Sequence, residues 1–178
     1  MSTLIAIRTA AGAMQGRYLH DNGLPTLVGA DLHAIVNAQG LADAVRVLTA
    51  EHFGWNYLNP SIEAGAPPFL GSQRAEIVPG FGEAYLNVTE HPDYWETPDE
   101  APSSWTTWVY VLTEQGLEIR RPTVENLRDD ETGRWALVAT VTWELRGDLL
   151  TAALHRAEVA GYSDQFTPDP TPAAAAAA

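Results

Sequence analysis

The sequence predicts an α+β fold: a mostly antiparallel sheet with helices packed on one face. Three observations point there. Short apolar runs of strand character adjoin one another along much of the chain, and helical periodicity is confined to 26–53 and 148–160. The regular strand–helix alternation of a doubly wound sheet is absent. A length of 178 residues suits one domain with a core of its own.

The elements follow in order. Leu4, Ile5, Ala6 and Ile7 form an apolar run, 9–13 is a small-residue turn around Gly12, and 15–20 returns as the second strand of a hairpin. Asn22-Gly23 supplies a positive φ and Pro25 ends the strand. Thr26 is placed to cap a helix running to Gln39, with Val28, Leu32, Ile35 and Val36 on one stripe and Gly40 past its end. A second helix over 41–53 turns Leu41, Ala44, Val45 and Leu48 inward.

The stretch 55–71 reads as loop, because Asn56, Asn59, Pro60, Gly65, Pro67 and Pro68 punctuate it. Strands at 74–78 and 83–88 flank Pro79-Gly80-Phe81-Gly82, and strands at 105–112 and 117–121 flank Glu114-Gln115-Gly116. In 135–145, Trp135, Leu137, Ala139, Val141, Trp143 and Leu145 alternate onto one face, which predicts a long strand with Trp143 buried. Asp148 then caps a last helix, with Leu149, Leu150, Ala153, Leu154 and Ala157 inward up to Gly161. From Ser163 the chain turns to alternating prolines and six alanines, so 1–162 is expected to be the folded domain and 163–178 a disordered tail.

Composition narrows the function. Ten basic residues face 23 acidic ones, for a net charge of −13 and a pI near 4.6. All ten basic residues are arginine. Such a balance disfavours direct binding to nucleic acid or an anionic membrane, which needs cations to neutralise phosphate. No apolar run approaches the roughly 18 residues of a membrane span, and no signal-peptide pattern opens the chain, so a cytoplasmic location is expected. Without cysteine there is no disulfide, thiolate ligand or cysteine nucleophile, and without lysine there is no Schiff base.

The most specific local pattern is Tyr18-x-His20-x-Asn22-Gly23-x-Pro25-x-x-x-Gly29-x-x-Leu32. It resembles the N-terminal signature of a family of small uncharacterised proteins of actinobacteria and their phages, over about residues 3–36. In that family the run usually reads Tyr-x-His-x-Asp-Gly-x-Pro, often with tryptophan after the histidine. Here Asp21 and Asn22 take the places of the tryptophan and the aspartate. The resemblance implies a phage or mobile-element setting rather than a reaction, which the all-arginine composition of a GC-rich coding background also fits. The residues have a structural reading, as a turn with close helix packing at Gly29. They also have a functional one, in which His20 is a general base beside Asp21 and Asp31 of a small hydrolase.

Other chemistry lacks its pattern. The five histidines His20, His33, His52, His91 and His155 form no helical pair three or four apart, so no metal site is expected. No Gly-x-Ser-x-Gly elbow and no phosphate-binding glycine loop is present, and no cofactor is implied. The second notable region is 83–110, rich in acid and aromatic residues and free of arginine. Within it Glu90, Asp93, Trp95, Glu96, Asp99 and Glu100 share a long polar loop between strands, suited to meeting arginines by stacking and bidentate pairing. The expectation is a non-enzymatic acidic interaction module that binds a basic protein partner, either by docking on it or by mimicking nucleic acid. The hydrolase built on His20 is the alternative.

Overall fold

A computed structural model describes residues 2–20, 23–69, 75–85, 106–122 and 135–162 of the chain. Strands β1 (Ser2–Arg8) and β2 (Met14–Leu19) form the N-terminal hairpin, with Gly12 at φ 85° in its turn. A π-helical turn, Pro25–Gly29, runs into helix α1 (Ala30–Gln39), and Gly40 at φ 86° breaks it. Helix α2 (Leu41–Val45) continues as a second π-helical turn, Arg46–Glu51, and leads to β3 (Gly54–Leu58). Strands β4 (Ala75–Val78) and β5 (Gly82–Tyr85) form a hairpin, as do β6 (Thr106–Thr113) and β7 (Gly116–Pro122). Strand β8 (Trp135–Val141) and helix α3 (Gly147–Tyr162) complete the described chain.

Among the described residues the eight strands make one sheet in the order β4-β5-β3-β2-β1-β6-β7-β8. Five junctions are antiparallel, while β1–β6 and β2–β3 are parallel. The fold is α+β. One sheet face carries the helices: Ile5, Leu19, Trp55, Trp108, Tyr110, Leu117 and Ile119 pack with Leu32, Ile35, Leu48 and Leu154 in the main core. The opposite face holds a smaller cluster of Leu4, Ala6, Met14, Val109, Val111 and Trp135, with no described helix in it. Helix α3 lies so close to the sheet that a Cβ on Gly161 would overlap the Trp108 ring. Arg121 lies over both Trp108 and Tyr162, which meet edge to face, with its Cζ 5.1 Å and 4.1 Å from their ring centres, and donates to the Gly161 carbonyl at the helix end.

Several expectations are corrected. Residues 54–58, read in part as loop, are strand: Trp55 pairs with Leu19 and Ala84, and a bulge between Trp55 and Tyr57 brings both Trp55 and Leu58 onto the helix side. That bulge erased the alternation. The same device acts in β8, where a register shift opposite Ile119 and Arg120 makes Val138 an extra residue. Trp135 therefore joins the cluster on the far face while Ala139 and Val141 join the main core, so the predicted single face does not exist. The strand ends at Val141. Trp143 lies beyond it, half-buried, with Nε1 donating to the Thr113 carbonyl at 2.8 Å.

Thr26 is not the cap of the first helix, which starts at Pro25 with Leu24 preceding it. Its hydroxyl and N–H instead donate to the Glu158 carboxylate at 2.6 Å and 3.2 Å, which docks α3 on this turn. Leu149, expected inward, is exposed, because Leu150, Ala153, Leu154 and Ala157 already fill the buried side of α3. The expected tail, 163–178, lies outside the described residues.

A buried histidine joins α1 to the chain after β8. His33 Nε2 donates to the Thr142 carbonyl at 3.0 Å, and Nδ1 accepts from the Asn37 amide at 3.0 Å. The amide is itself oriented, since Asn37 Nδ2 also donates to the His33 carbonyl and Arg146 donates to Asn37 Oδ1. A proton on Nδ1 would face that amide, a donor, so the neutral ring is favoured. Burial pushes the His33 imidazole below its ordinary range, outweighing the Thr142 bond; Arg146 lowers it further and Glu144 opposes.

Two outcomes are expected. Gly161→Ala, which in an open helix would stabilise, should cost about 1–3 kcal/mol here through overpacking against Trp108, measured by denaturant melts. The His33 ring protonates more readily in the unfolded chain, whose ordinary value is about 6.5, than in the fold. Its contribution is therefore fully present above that value and lost as pH falls below it. Melting temperature should drop below about pH 6.5, and an NMR titration should place the His33 midpoint beneath the ordinary histidine value.

Candidate functional site

The Tyr18–Pro25 motif is held by the core. Gly23 takes φ 69°, and its carbonyl accepts the buried Tyr110 hydroxyl at 2.5 Å. Pro25 then opens the helical turn. Gly29 faces α3, where an added Cβ would lie 2.9 Å from Leu154. His20 is exposed, its N–H donates to the Trp55 carbonyl at 2.9 Å, and its Nδ1 lies 3.3 Å from the Tyr18 hydroxyl. Asp31 is half-buried in the first turn of α1. Asp21 lies outside the described residues. The structure thus gives His20 a tyrosine partner and gives the glycines and the proline a structural role.

The acidic-loop residues Glu90, Asp93, Trp95, Glu96, Asp99 and Glu100 also lie outside the described residues. Their two anchors are described. Segment 86–105 leaves β5 after Tyr85 and enters β6 at Thr106, with β3, β2 and β1 standing between those strands.

On the helix-free face beside the first anchor, a polar and aromatic group converges. Glu83 and Tyr85 alternate onto this face of β5, and the bulge in β3 turns Asn56 and Tyr57 toward them. The Glu83 carboxylate, 1% exposed, accepts the Asn56 amide at 2.6 Å and the Phe69 N–H at 2.5 Å. Tyr57 meets Phe69 edge to face with ring centres 6.0 Å apart. Gly54 leaves room for Tyr85 and Tyr18 to lie against it from either side. Burial raises the hydroxyl pKa of both Tyr57 and Tyr85; the Glu83 charge adds to it in each, and Tyr18 adds to it in Tyr85. Asn56 and Phe69 belong to a stretch that reads as loop from its asparagines and prolines, so no face could be assigned to them from sequence. The alternation of Glu83 with Tyr85 was the available signal.

A second charged group sits on the same face nearer β7. Glu118 accepts from Arg8 at 2.8 Å and from Arg120 at 2.9 Å. Burial pushes its carboxyl up, but the two guanidiniums outweigh this and hold it below the ordinary range. Among the described residues no three histidine, aspartate or glutamate side chains converge to hold a metal ion, and no helix is long and apolar enough to cross a membrane. No protein-family model, curated protein or solved structure matches the chain.

The motif's structural role is measurable. Tyr110→Phe should lower stability by about 1–2 kcal/mol, because it leaves the Gly23 carbonyl unpaired in the core. His20→Ala, at an exposed position, should change stability by less than about 0.5 kcal/mol in the same urea melts.

Proposed function

We propose that this chain is a non-enzymatic acidic module that binds a basic protein partner, as an accessory protein of a phage or mobile element would. In this reading its carboxylates occupy a surface that the partner otherwise offers to nucleic acid.

The observation that carries the reading is where the arginines go. Arg17 is buried and donates to the Thr49 carbonyl at 2.8 Å. Arg121 and Arg146 donate to carbonyls of Gly161, Trp143 and Leu145. Arg8 and Arg120 share Glu118, while Arg46 holds Asp43 and Glu51. Six of the ten arginines are thus engaged within the chain, several of them with backbone carbonyls. Exposed Glu63, Glu114, Glu144 and Asp148 have no ion pair among the described residues. These arginines are held by groups of the chain itself, and the excess negative charge, −13 with all ten arginines counted, is available to a partner. In this proposal Glu90, Asp93, Glu96, Asp99 and Glu100, with Trp95 among them, make the main contact.

Association driven this way is steered by charge and weakens as salt shortens the Debye length from about 8 Å at physiological strength to about 3 Å at 1 M. The test captures partners from a lysate of the source cells with three forms in parallel. These are wild type, His20→Ala, and a variant carrying Glu90→Gln, Asp93→Asn, Glu96→Gln, Asp99→Asn and Glu100→Gln. Wild type and His20→Ala should recover the same basic protein, released by salt, and the neutralised form should not. Equal recovery by all three, or by none, overturns the reading.

A further inference from the structure

Glu83 is a buried carboxylate without a counter-ion: its oxygens accept from the Asn56 amide and the Phe69 N–H, and among the described residues no arginine or histidine reaches it. Taking such a charge out of water is costly when nothing positive compensates it. The same chain pairs Glu118 on the same face with two arginines, so the lack of a cation at Glu83 among the described residues is a local property. Two neutral donors leave about half of the acceptor positions of a carboxylate unfilled, and with Glu83 1% exposed a ligand reaches them only by displacing the side chains that now cover it.

What surrounds Glu83 suits a cation. Tyr57 and Phe69 meet edge to face, Tyr85 lies two residues along β5, and Tyr18 follows across Gly54. Phe69 keeps 63% of its surface in solvent although its backbone is fastened to Glu83, so an aromatic ring is presented rather than packed away. Ring faces attract cations through their quadrupole, and most strongly where water is excluded.

We propose that Glu83, Tyr57, Phe69 and Tyr85 form a binding site for a guanidinium group, with its charge on Glu83 and its plane against the rings. The proposal rests on the reading of the chain as an acidic module and names what the basic partner inserts: an arginine side chain. Guanidinium is favoured over ammonium because it is planar and weakly hydrated, stacks on aromatic rings and still offers donors in its plane to a carboxylate. The site also lies where it would serve that partner, since β5 continues directly into the acidic segment 86–105.

The probe is Nα-acetyl-arginine methylamide, titrated into the full chain and followed by NMR at the backbone amides of Tyr57, Phe69 and Tyr85. Its neutral isostere, the citrulline derivative, runs alongside. Saturable millimolar shifts at these amides are expected with the arginine probe, and at least tenfold weaker ones with citrulline. Glu83→Gln should weaken the arginine probe at least tenfold, whereas Glu114→Gln, which removes the same charge at an exposed turn, should change it less than twofold. Equal shifts from both probes, no saturable shift, or equal loss in both variants overturns the site. Should Glu83→Gln fail to fold, the comparison of the two probes on wild type decides alone. The outcome is separable from that of the function above. Arginine binding without partner capture leaves the site and removes the module, and capture without arginine binding does the reverse.

Discussion

Leu4, Ile5 and Ala6 pair in parallel with Val109, Tyr110 and Val111, and the rest of the sheet depends on that junction. To one side stand β2, β3, β5 and β4, and to the other β7 and β8. Each group is built from hairpins or near neighbours, while β1 and β6 meet from about a hundred residues apart, which makes their pairing the entropically expensive step. Once made, it places Ile5, Trp108 and Tyr110 under the helices and Leu4, Val109 and Val111 on the other face. The Tyr110 hydroxyl then fastens the Gly23 turn, which sets where the first helix begins.

The helices depend on the sheet in turn. Neither α1 nor α2 has a side-chain cap at its start, and both include π-helical turns, so local propensity does not hold them. They are held by contacts from elsewhere: the Trp55 indole donates to the Leu48 carbonyl, Arg17 to that of Thr49, and His33 to that of Thr142. Arginine thus works in this fold largely as a donor to backbone carbonyls.

The two sheet faces divide the labour. The helix side is apolar and closely packed, to the point that Gly29 and Gly161 are needed where α3 crosses. The other side mixes a small apolar cluster with two buried or half-buried carboxylates in different states. Glu118 has two guanidiniums, and Glu83 has an amide and a backbone N–H.

The α+β class, the three hairpins and the approximate helices were legible in the sequence, because each rests on contacts within a few residues: turns at Gly12, Pro79-Gly80 and Gln115-Gly116, and the stripe Val28, Leu32, Ile35, Val36. The net charge and the exclusive use of arginine were equally plain. What only the tertiary structure decided was which side of the sheet a residue faces after a bulge, at Asn56 in β3 and at Val138 in β8, and the parallel junctions beside β1 and β2. One extra residue reverses every side chain after it, and nothing local marks the spot, because the bulge is set by the partner strand. For the same reason Glu83, Tyr85, Asn56 and Phe69 read as members of separate segments in the sequence. Their meeting around one buried charge is settled by how β3 registers on β5.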